Sequence, residues 1–298
     1  MILLLKSHYI CFSYTQKFNT KKQMKSKSIS RRSYKGGLLI TSLFFLLTSC
    51  QNDEETNIEL TAYPSDIIST AIFTSNFPSA VAESQSPINI EPSKAIVFHS
   101  SDPVLHYGAV TLNSVANNAG ENLRVNVSNS DSFNNFITVG GKKYNLVNFH
   151  FHYSSEHTID GKYAKMEIHF VNIAADNSYA VLSVMVDEGN ANSSLQNLFN
   201  QSPTMPNAVY SPNTTFDLTA LFPKNTREYF TYNGSLTTPN FGAASAVTNG
   251  GPVTWFVFKN KQQISNAEFN TYTGIYQNPN FRSIQPLNGR KVYMNLGF

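Results

Sequence analysis

The chain has 298 residues, of which 41% are hydrophobic and 14% charged, a composition that excludes a fibrous or intrinsically disordered protein. Residues 1–49 hold nine of the 22 Lys and Arg and none of the 19 Asp and Glu, so the remainder carries 13 basic and 19 acidic residues, a formal net charge of −6. Nucleic-acid binding needs a cationic surface, and this balance therefore argues against it. The length fits one large domain with an N-terminal appendage.

The N-terminal 49 residues have the order of a secretory signal. Basic residues come first and the apolar run GLLITSLFFLLTS follows, too short for a comfortable permanent membrane helix. Met24 opens a signal of ordinary length, so the true start of the chain is predicted at Met1 or at Met24. Cys11 leaves with the signal, which removes any disulfide from the domain and leaves its stability to the core.

The residues that close the apolar run, Leu47-Thr48-Ser49-Cys50, resemble a bacterial lipobox, in which the signal is cut before a cysteine that receives a lipid. The resemblance implies a lipoprotein signal peptide at 1–49 and a lipidated Cys50 with an acidic tether at 50–68. It also implies anchoring in the bacterial cell envelope, with the outer membrane expected and the orientation, periplasmic or surface-facing, left open. The acidic cluster after Cys50 is either a surface-export signal or a hydrophilic spacer.

From 69 to 298 the sequence predicts a single domain that is mainly β with a few short helices. Short runs with alternating or β-branched and aromatic residues are separated by Asn, Gly, Ser and Asp, the pattern of a mostly antiparallel sheet. The clearest runs lie at 109–115, 122–128, 135–139, 144–153, 164–173, 179–187 and 252–259, and the helical candidates at 193–200 and 265–273.

Four of the seven histidines lie in the stretch 148–170, NFHFHYSSEHTIDGKYAKMEIHF. Residues i and i+2 of a strand share a face, so His150 and His152 project together, and a turn at Asp160-Gly161 would return the chain to bring His169 beside them. Three imidazoles leave the fourth position of a tetrahedral zinc ion open, which is the arrangement of a catalytic site. A satisfied polar residue is the ordinary interpretation of a single histidine, but the paired pattern favours a metal site.

The same stretch resembles the zinc motif of the α-class carbonic anhydrases, which has the form H-F-H, then S-E-H-T, then E-x-H. The resemblance implies a central, twisted, mostly antiparallel sheet of about ten strands. It also implies one catalytic zinc ion and the reversible hydration of CO2 to bicarbonate and a proton. Further family motifs occur in family order at QSPINI (85–90), YNGSLTTP (232–239), VTW (253–255) and NFRSIQPLNGR (280–290).

Carried over residue by residue, the resemblance implies that His150, His152 and His169 are the zinc ligands. Thr237 and Glu156 are then the catalytic pair that orients a zinc-bound hydroxide toward the substrate. The residues implied around the ligands are Asn148 (where the family usually has the longer Gln), Glu167, His157 and Asn280, and those implied for the substrate pocket are Val171, Val181, Leu236, Thr238 and Trp255.

Two departures from the family pattern affect expectations. Glu121 occupies the proton-shuttle position, where fast members have histidine. A carboxyl group with an ordinary pKa of about 4.3 is poorly matched to proton transfer at pH 7, so we expect moderate turnover with strong buffer dependence. The connection at 240–252 is longer than usual, and its effect on the pocket is open.

Two other functions compete with CO2 hydration. The first is a carbonic anhydrase-like binding module without catalysis, and the second is a zinc esterase that uses the same site as a side activity. All three predicted ligands are present together with Glu156 and Thr237, which favours the enzyme. Protein partners and oligomeric state are not indicated by the sequence.

Overall fold

The structure is a computed structural model that describes residues 83–238 and 252–297. Within these ranges β-strands dominate, as the sequence predicts. The strands are β1 (Asn89–Ile90), β2 (Ile96–Phe98), β3 (Val104–His106), β4 (Ala109–Leu112), β5 (Val115–Asn118), β6 (Asn122–Asn126), β7 (Phe136–Val139), β8 (Lys142–His152), β9 (Thr158–Ile159), β10 (Lys162–Tyr163), β11 (Met166–Ala174), β12 (Tyr179–Glu188), β13 (Val209–Tyr210), β14 (Thr214–Asp217), β15 (Glu228–Gly234), β16 (Val253–Phe258), β17 (Gln262–Ile264) and β18 (Tyr293–Leu296). The helices are α1 (Asn129–Asn134), α2 (Ser193–Asn200) and α3 (Asn266–Ile275), and the 3-10 turns are Pro92–Lys94 and Leu218–Leu221.

The main sheet contains thirteen of the described strands. Ten form one path in the order β13-β5-β6-β8-β11-β12-β16-β15-β18-β2, while β3, β7 and β17 pair beside that path. The expected number of about ten is therefore too small by three. Both β3 and β17 are only three residues long, too short to show alternation in the sequence.

The sheet is mostly antiparallel, which confirms the expected architecture. Its parallel pairings in the described ranges are β12 with β16, β12 with β17, and β18 with β2. The run predicted at 109–115 divides in two, because β4 pairs with β14 in a separate two-stranded sheet while β5 joins the main sheet. The point at which a run divides depends on the strands it pairs with, which are distant in sequence, so the local alternation does not show it.

Alternation along β8 separates the core from the histidines. Phe149 and Phe151 are fully buried in the larger apolar cluster, where the Phe149 ring lies 5.7 Å from the ring of Phe170. Complete burial of such a side chain stabilises the fold by about 1.5–3 kcal/mol. His150 and His152 therefore point to the opposite face. The smaller apolar cluster on that face includes Val171, Val181 and Trp255.

Helices α2 and α3 lie where the sequence predicts them. Asn192 caps α2, since its side chain accepts hydrogen bonds from the N–H groups of Ser194 and Leu195. Ser265 and Glu268 form a reciprocal capping box at the start of α3. Both helices are short, and together with α1 they confirm a fold with few helices.

Across the described ranges, no helix combines the length and apolar character needed to cross a bilayer. The predicted signal at 1–49, the alternative start at Met24, and Cys50 with its tether lie outside the described residues. The connection at 240–252 also lies outside them, except for its last residue.

Candidate metal centre

The pairing register of β8 and β11 brings the predicted ligands together. His150 lies opposite His169, and His152 lies opposite Glu167. One nitrogen from each of the three histidines lies within 4.8 Å of the other two. The pairing of β8 with β11 therefore brings His169 close to His152, although the two residues are 17 positions apart in the sequence.

The outer nitrogens of the two β8 histidines are held by oxygen acceptors. Nδ1 of His150 lies 3.0 Å from Oδ1 of Asn148, and Nδ1 of His152 lies 3.0 Å from the carbonyl oxygen of Asn280. A neutral imidazole that donates from Nδ1 keeps its lone pair on Nε2. Both rings therefore present Nε2 to the cluster, and the amide of Asn148 reaches its histidine although it is shorter than the family's usual Gln.

His169 uses its nitrogens in the opposite way. Its Nε2 lies 2.8 Å from Oε1 of Glu167, which leaves Nδ1 for the cluster. The centre thus combines two Nε2 atoms with one Nδ1 atom.

Glu167 is a fully buried carboxylate that organises this face. Its Oε1 accepts hydrogen bonds from the ring of His157 at 2.7 Å, from His169, and from the hydroxyl of Ser183 at 2.5 Å. Its Oε2 accepts the backbone N–H groups of Glu156 and His157 at 2.7 and 2.8 Å. Burial acts to raise the pKa of Glu167, but the two imidazoles and their hydrogen bonds hold it well below its usual value.

His157 lies beside the centre with both ring nitrogens occupied. Nδ1 contacts Glu167, and Nε2 lies 2.6 Å from the hydroxyl oxygen of Tyr232. His157, Glu167 and His169 are also close enough together to hold a metal ion. Their facing atoms already bond to one another, so the arrangement is that of a structural network.

Three observations show that the cluster of three histidines is suited to a zinc ion. Nε2 of His152 is buried and has no hydrogen-bond partner among the described residues, a state that costs about 1–3 kcal/mol unless a partner is supplied. Burial lowers the pKa of both His150 and His169, which favours the neutral imidazoles that metal binding requires. The outer nitrogen of each ring also contacts an oxygen acceptor that orients the ring, as in established zinc sites.

Glu156 lies next to the cluster. Its Oε1 accepts the backbone N–H of Arg282 at 2.8 Å. Its Oε2 lies 3.6 Å from Nε2 of His152 and 3.9 Å from Nδ1 of His169, and it has no hydrogen-bond partner in the described part of the chain. One carboxylate oxygen is thus fixed by the backbone while the other faces the centre.

A pocket of about 210 Å³ opens onto the histidines. His150, His169 and Thr237 line it, and Trp255, whose Nε1 donates to the carbonyl of Ser235 at 3.0 Å, forms part of its wall. The pocket therefore joins the predicted metal ligands to the predicted wall. All the residues expected there contribute to the lining: Val171, Val181, Leu236, Thr238 and Trp255.

Glu121 lies apart from this group. It is exposed at the turn between β5 and β6 and is not among the residues that line the pocket, whereas its neighbour Asn122 is. The structure therefore brings the other predicted site residues around the centre and leaves the proton-shuttle position at its margin.

The pocket also has a polar side that the sequence motifs do not indicate, and it includes Asn118, Asn122 and Arg124. Asn122 and Arg124 are two residues apart on β6 and so share a face. A charged residue between the apolar Leu123 and Val125 was the available signal, since it predicts a strand with one polar face.

Comparison with known proteins agrees with this geometry. The sequence profile described as eukaryotic-type carbonic anhydrase matches residues 70–296. The chain is 33% identical to a carbonic anhydrase of Klebsiella pneumoniae over 70% of this chain and 78% of that protein. It is 35% identical to a carbonic anhydrase of Neisseria gonorrhoeae over 59% of this chain and 64% of that protein.

Among solved structures, the α-carbonic anhydrase of Thermovibrio ammonificans, determined with the inhibitor sulfanilamide, aligns with a TM-score of 0.63 and 31% identity. The alignment covers 71% of this chain and 87% of that one. The present chain therefore belongs to the eukaryotic-type, or α, carbonic anhydrase family and is an enzyme of that class, a lyase. The family consists of zinc enzymes that act on CO2 and bicarbonate.

Proposed function

We propose that the chain catalyses the reversible hydration of CO2 to bicarbonate and a proton with one zinc ion held by His150, His152 and His169. One observation carries this proposal. Each of the three histidine rings is held by a hydrogen bond at one nitrogen, and their other nitrogens converge beside a pocket with apolar and polar walls. When bound, zinc lowers the pKa of a water molecule to about 7 and so supplies a nucleophile at neutral pH.

Thr237 and Glu156 would orient the attacking oxygen. The backbone N–H of Arg282 fixes one oxygen of Glu156, and the other oxygen is left to accept a hydrogen bond from the hydroxyl of Thr237. A Thr237 hydroxyl that donates to Glu156 has only lone pairs to offer the nucleophile, so it would accept a hydrogen bond from the nucleophile's O–H. The nucleophile's own lone pair is then directed at the substrate carbon.

The apolar wall would hold CO2 for this attack. CO2 has no charge and no net dipole, so it loses little hydration when it leaves water for an apolar surface. Trp255 and Val181 are almost fully buried and belong to the smaller core cluster, which makes the wall rigid. The wall residues are Val171, Val181, Leu236 and Trp255.

Zinc analysis and stopped-flow kinetics test the proposal on the purified chain. We expect one zinc ion per chain and CO2 hydration that follows zinc content. His152→Ala should lose both, while His106→Ala, which changes an exposed histidine stacked on Phe136, should keep both. Full zinc occupancy without hydration would favour the binding module, and ester hydrolysis without CO2 hydration would favour the esterase.

We further propose that Cys50 carries a lipid that anchors the enzyme in the bacterial cell envelope. The basic segment, the apolar run and the lipobox-like LTSC support this location. Cys50→Ala should move the protein from the membrane fraction to the soluble fraction. Mass spectrometry of the N-terminal peptide should find a lipid on Cys50, and an unmodified Cys50 in membrane-bound protein would refute the anchor.

A further inference from the structure

Arg124 places a cationic side chain in the wall of the pocket. Strand β6 pairs with β8 so that Arg124 lies opposite His150, and both residues line the same cavity as Thr237. Removing a charge from water is costly unless a partner compensates it. A half-buried guanidinium at this position is therefore expected to have an anionic or hydrogen-bonding partner.

The described residues supply little compensation for this charge. Within 83–238 and 252–297, no carboxylate forms an ion pair with Arg124. Its hydrogen bond there runs from Nε to Oδ1 of Asn126 at 2.9 Å, so neither terminal amino group is used by these residues. Partial burial lowers the pKa of Arg124, yet an arginine stays protonated at neutral pH. The pocket thus contains a positive charge whose terminal N–H donors are not used by any described residue.

Two other arginines near the site show the contrast. Arg282 donates from Nη1 to the carbonyl oxygen of Ser86 at 2.6 Å, and Arg290 donates from Nη1 to the carbonyl oxygen of Asn233 at 3.0 Å. Their guanidinium groups join distant segments of the fold. Arg124 makes no such connection through its terminal nitrogens among the described residues, so a structural role does not account for its charge.

A second polar group accompanies Arg124 on the same face of β6. Asn122 lines the pocket, is 5% exposed, and its Oδ1 is buried without a hydrogen-bond partner in the described ranges. Bicarbonate carries two charged acceptor oxygens and one O–H donor. A planar guanidinium matches the two oxygens as a pair, and an amide oxygen accepts an O–H.

We infer that Arg124, assisted by Asn122, forms an oxyanion subsite beside the metal centre that binds bicarbonate. The inference rests on the proposed function for the identity of the anion. Arg124 then sets the affinity for bicarbonate, both as the product of hydration and as the substrate of the reverse reaction. The apolar wall then receives CO2, and the polar wall receives the charged bicarbonate.

Binding is tested first on the full chain stripped of zinc by a chelator, where no turnover occurs. Line broadening of 13C-labelled bicarbonate at pH 8 and fixed ionic strength measures the dissociation constant. Arg124→Gln should weaken binding about tenfold, the effect of losing a charge-assisted pair of hydrogen bonds. Arg124→Lys keeps the charge without the planar donors. Its dissociation constant for bicarbonate should lie between those of the wild type and Arg124→Gln. Lys224→Gln, which removes an exposed positive charge outside the pocket, should bind as the wild type does.

Equal binding by the wild type and by both Arg124 variants would overturn the subsite. In the zinc-loaded enzyme, Arg124→Gln should raise the KM for bicarbonate about tenfold with zinc content unchanged. If the wild type interconverts CO2 and bicarbonate and Arg124→Gln behaves identically, the subsite fails while the proposed function stands. If the wild type is inactive but Arg124→Gln loses bicarbonate binding, the proposed function fails and the subsite stands.

Discussion

Oε1 of Glu167 lies 2.8 Å from Nε2 of His169, and this contact determines which nitrogen of His169 faces the metal centre. Glu167→Gln should therefore weaken zinc binding about 10–100-fold, the usual effect of losing a partner that orients a ligating histidine. Competition with a chromophoric chelator measures the affinity. Glu188→Gln, which alters an exposed carboxylate paired with Lys165, is the control and should bind zinc normally. Wild-type affinity in Glu167→Gln would show that packing alone positions the ring.

Asn148 provides the corresponding contact to His150. Its Oδ1 lies 3.0 Å from Nδ1 of His150, so the shorter amide is sufficient to hold the ring. Asn148→Ala should weaken zinc binding about tenfold because the ring loses its outer partner. Asn148→Gln restores the family's usual amide and should bind zinc as tightly as the wild type, measured by the same competition. A larger loss in Asn148→Gln than in Asn148→Ala would contradict this assignment.

Substitution of Thr237 should lower the rate of CO2 hydration and leave the zinc content unchanged. Thr237→Ala removes the hydroxyl that orients the attacking oxygen, and kcat/KM for CO2 hydration should fall about 10²-fold. Thr237→Ser keeps the hydroxyl and should retain most of the activity. Stopped-flow rates with parallel zinc analysis separate the two effects. A loss of zinc in Thr237→Ala would instead place Thr237 in support of the metal centre.

Buffer should limit turnover. In the part of the chain that the structure describes, the histidines that line the pocket are His150 and His169, which are both predicted ligands. Glu121 lies outside the lining. We therefore expect kcat to rise as imidazole is raised through the millimolar range, because an external base must accept the proton. Glu121→Gln should follow the same curve. A kcat independent of imidazole would reveal an internal shuttle.

Glu268 should make stability depend on pH in the acid range. Burial acts to raise its pKa, but hydrogen bonds from Asn192 and Ser265 lower it below its ordinary value of 4.5. A carboxyl group whose pKa is lower in the folded state stabilises the protein above the unfolded pKa and loses that contribution as the pH falls through the folded pKa.

Glu268→Gln should consequently reduce the free energy of unfolding at pH 7 by about 1 kcal/mol, because hydrogen bonds to a charged carboxylate become weaker hydrogen bonds to a neutral amide. Urea unfolding at pH 7 and at successively lower pH measures the difference, which should shrink below pH 4.5. A constant difference at every pH would mean that packing, and not the charge, is responsible.

The amino-acid sequence determined the parts of this protein that depend on local periodicity. Alternation along NFHFHY placed His150 and His152 on one face and the phenylalanines on the other, because successive side chains of a strand point to opposite sides. The same rule identified much of the sheet, and the local sequence at 193–200 and 265–273 predicted α2 and α3. Resemblance to a known family then supplied roles for Glu156, Thr237 and Asn280, which no local pattern indicates.

Tertiary structure alone decided how distant residues meet. The carbonyl of Asn280 lies 128 positions from His152 in sequence and yet orients its ring. The register of β6 on β8 places Arg124 opposite His150, and a shift of one residue would turn Arg124 to the other face. Register and long-range hydrogen bonds depend on the packing of the whole sheet. The local pattern around Arg124 predicts a strand with one polar face, and only the folded chain shows that this face lines the pocket.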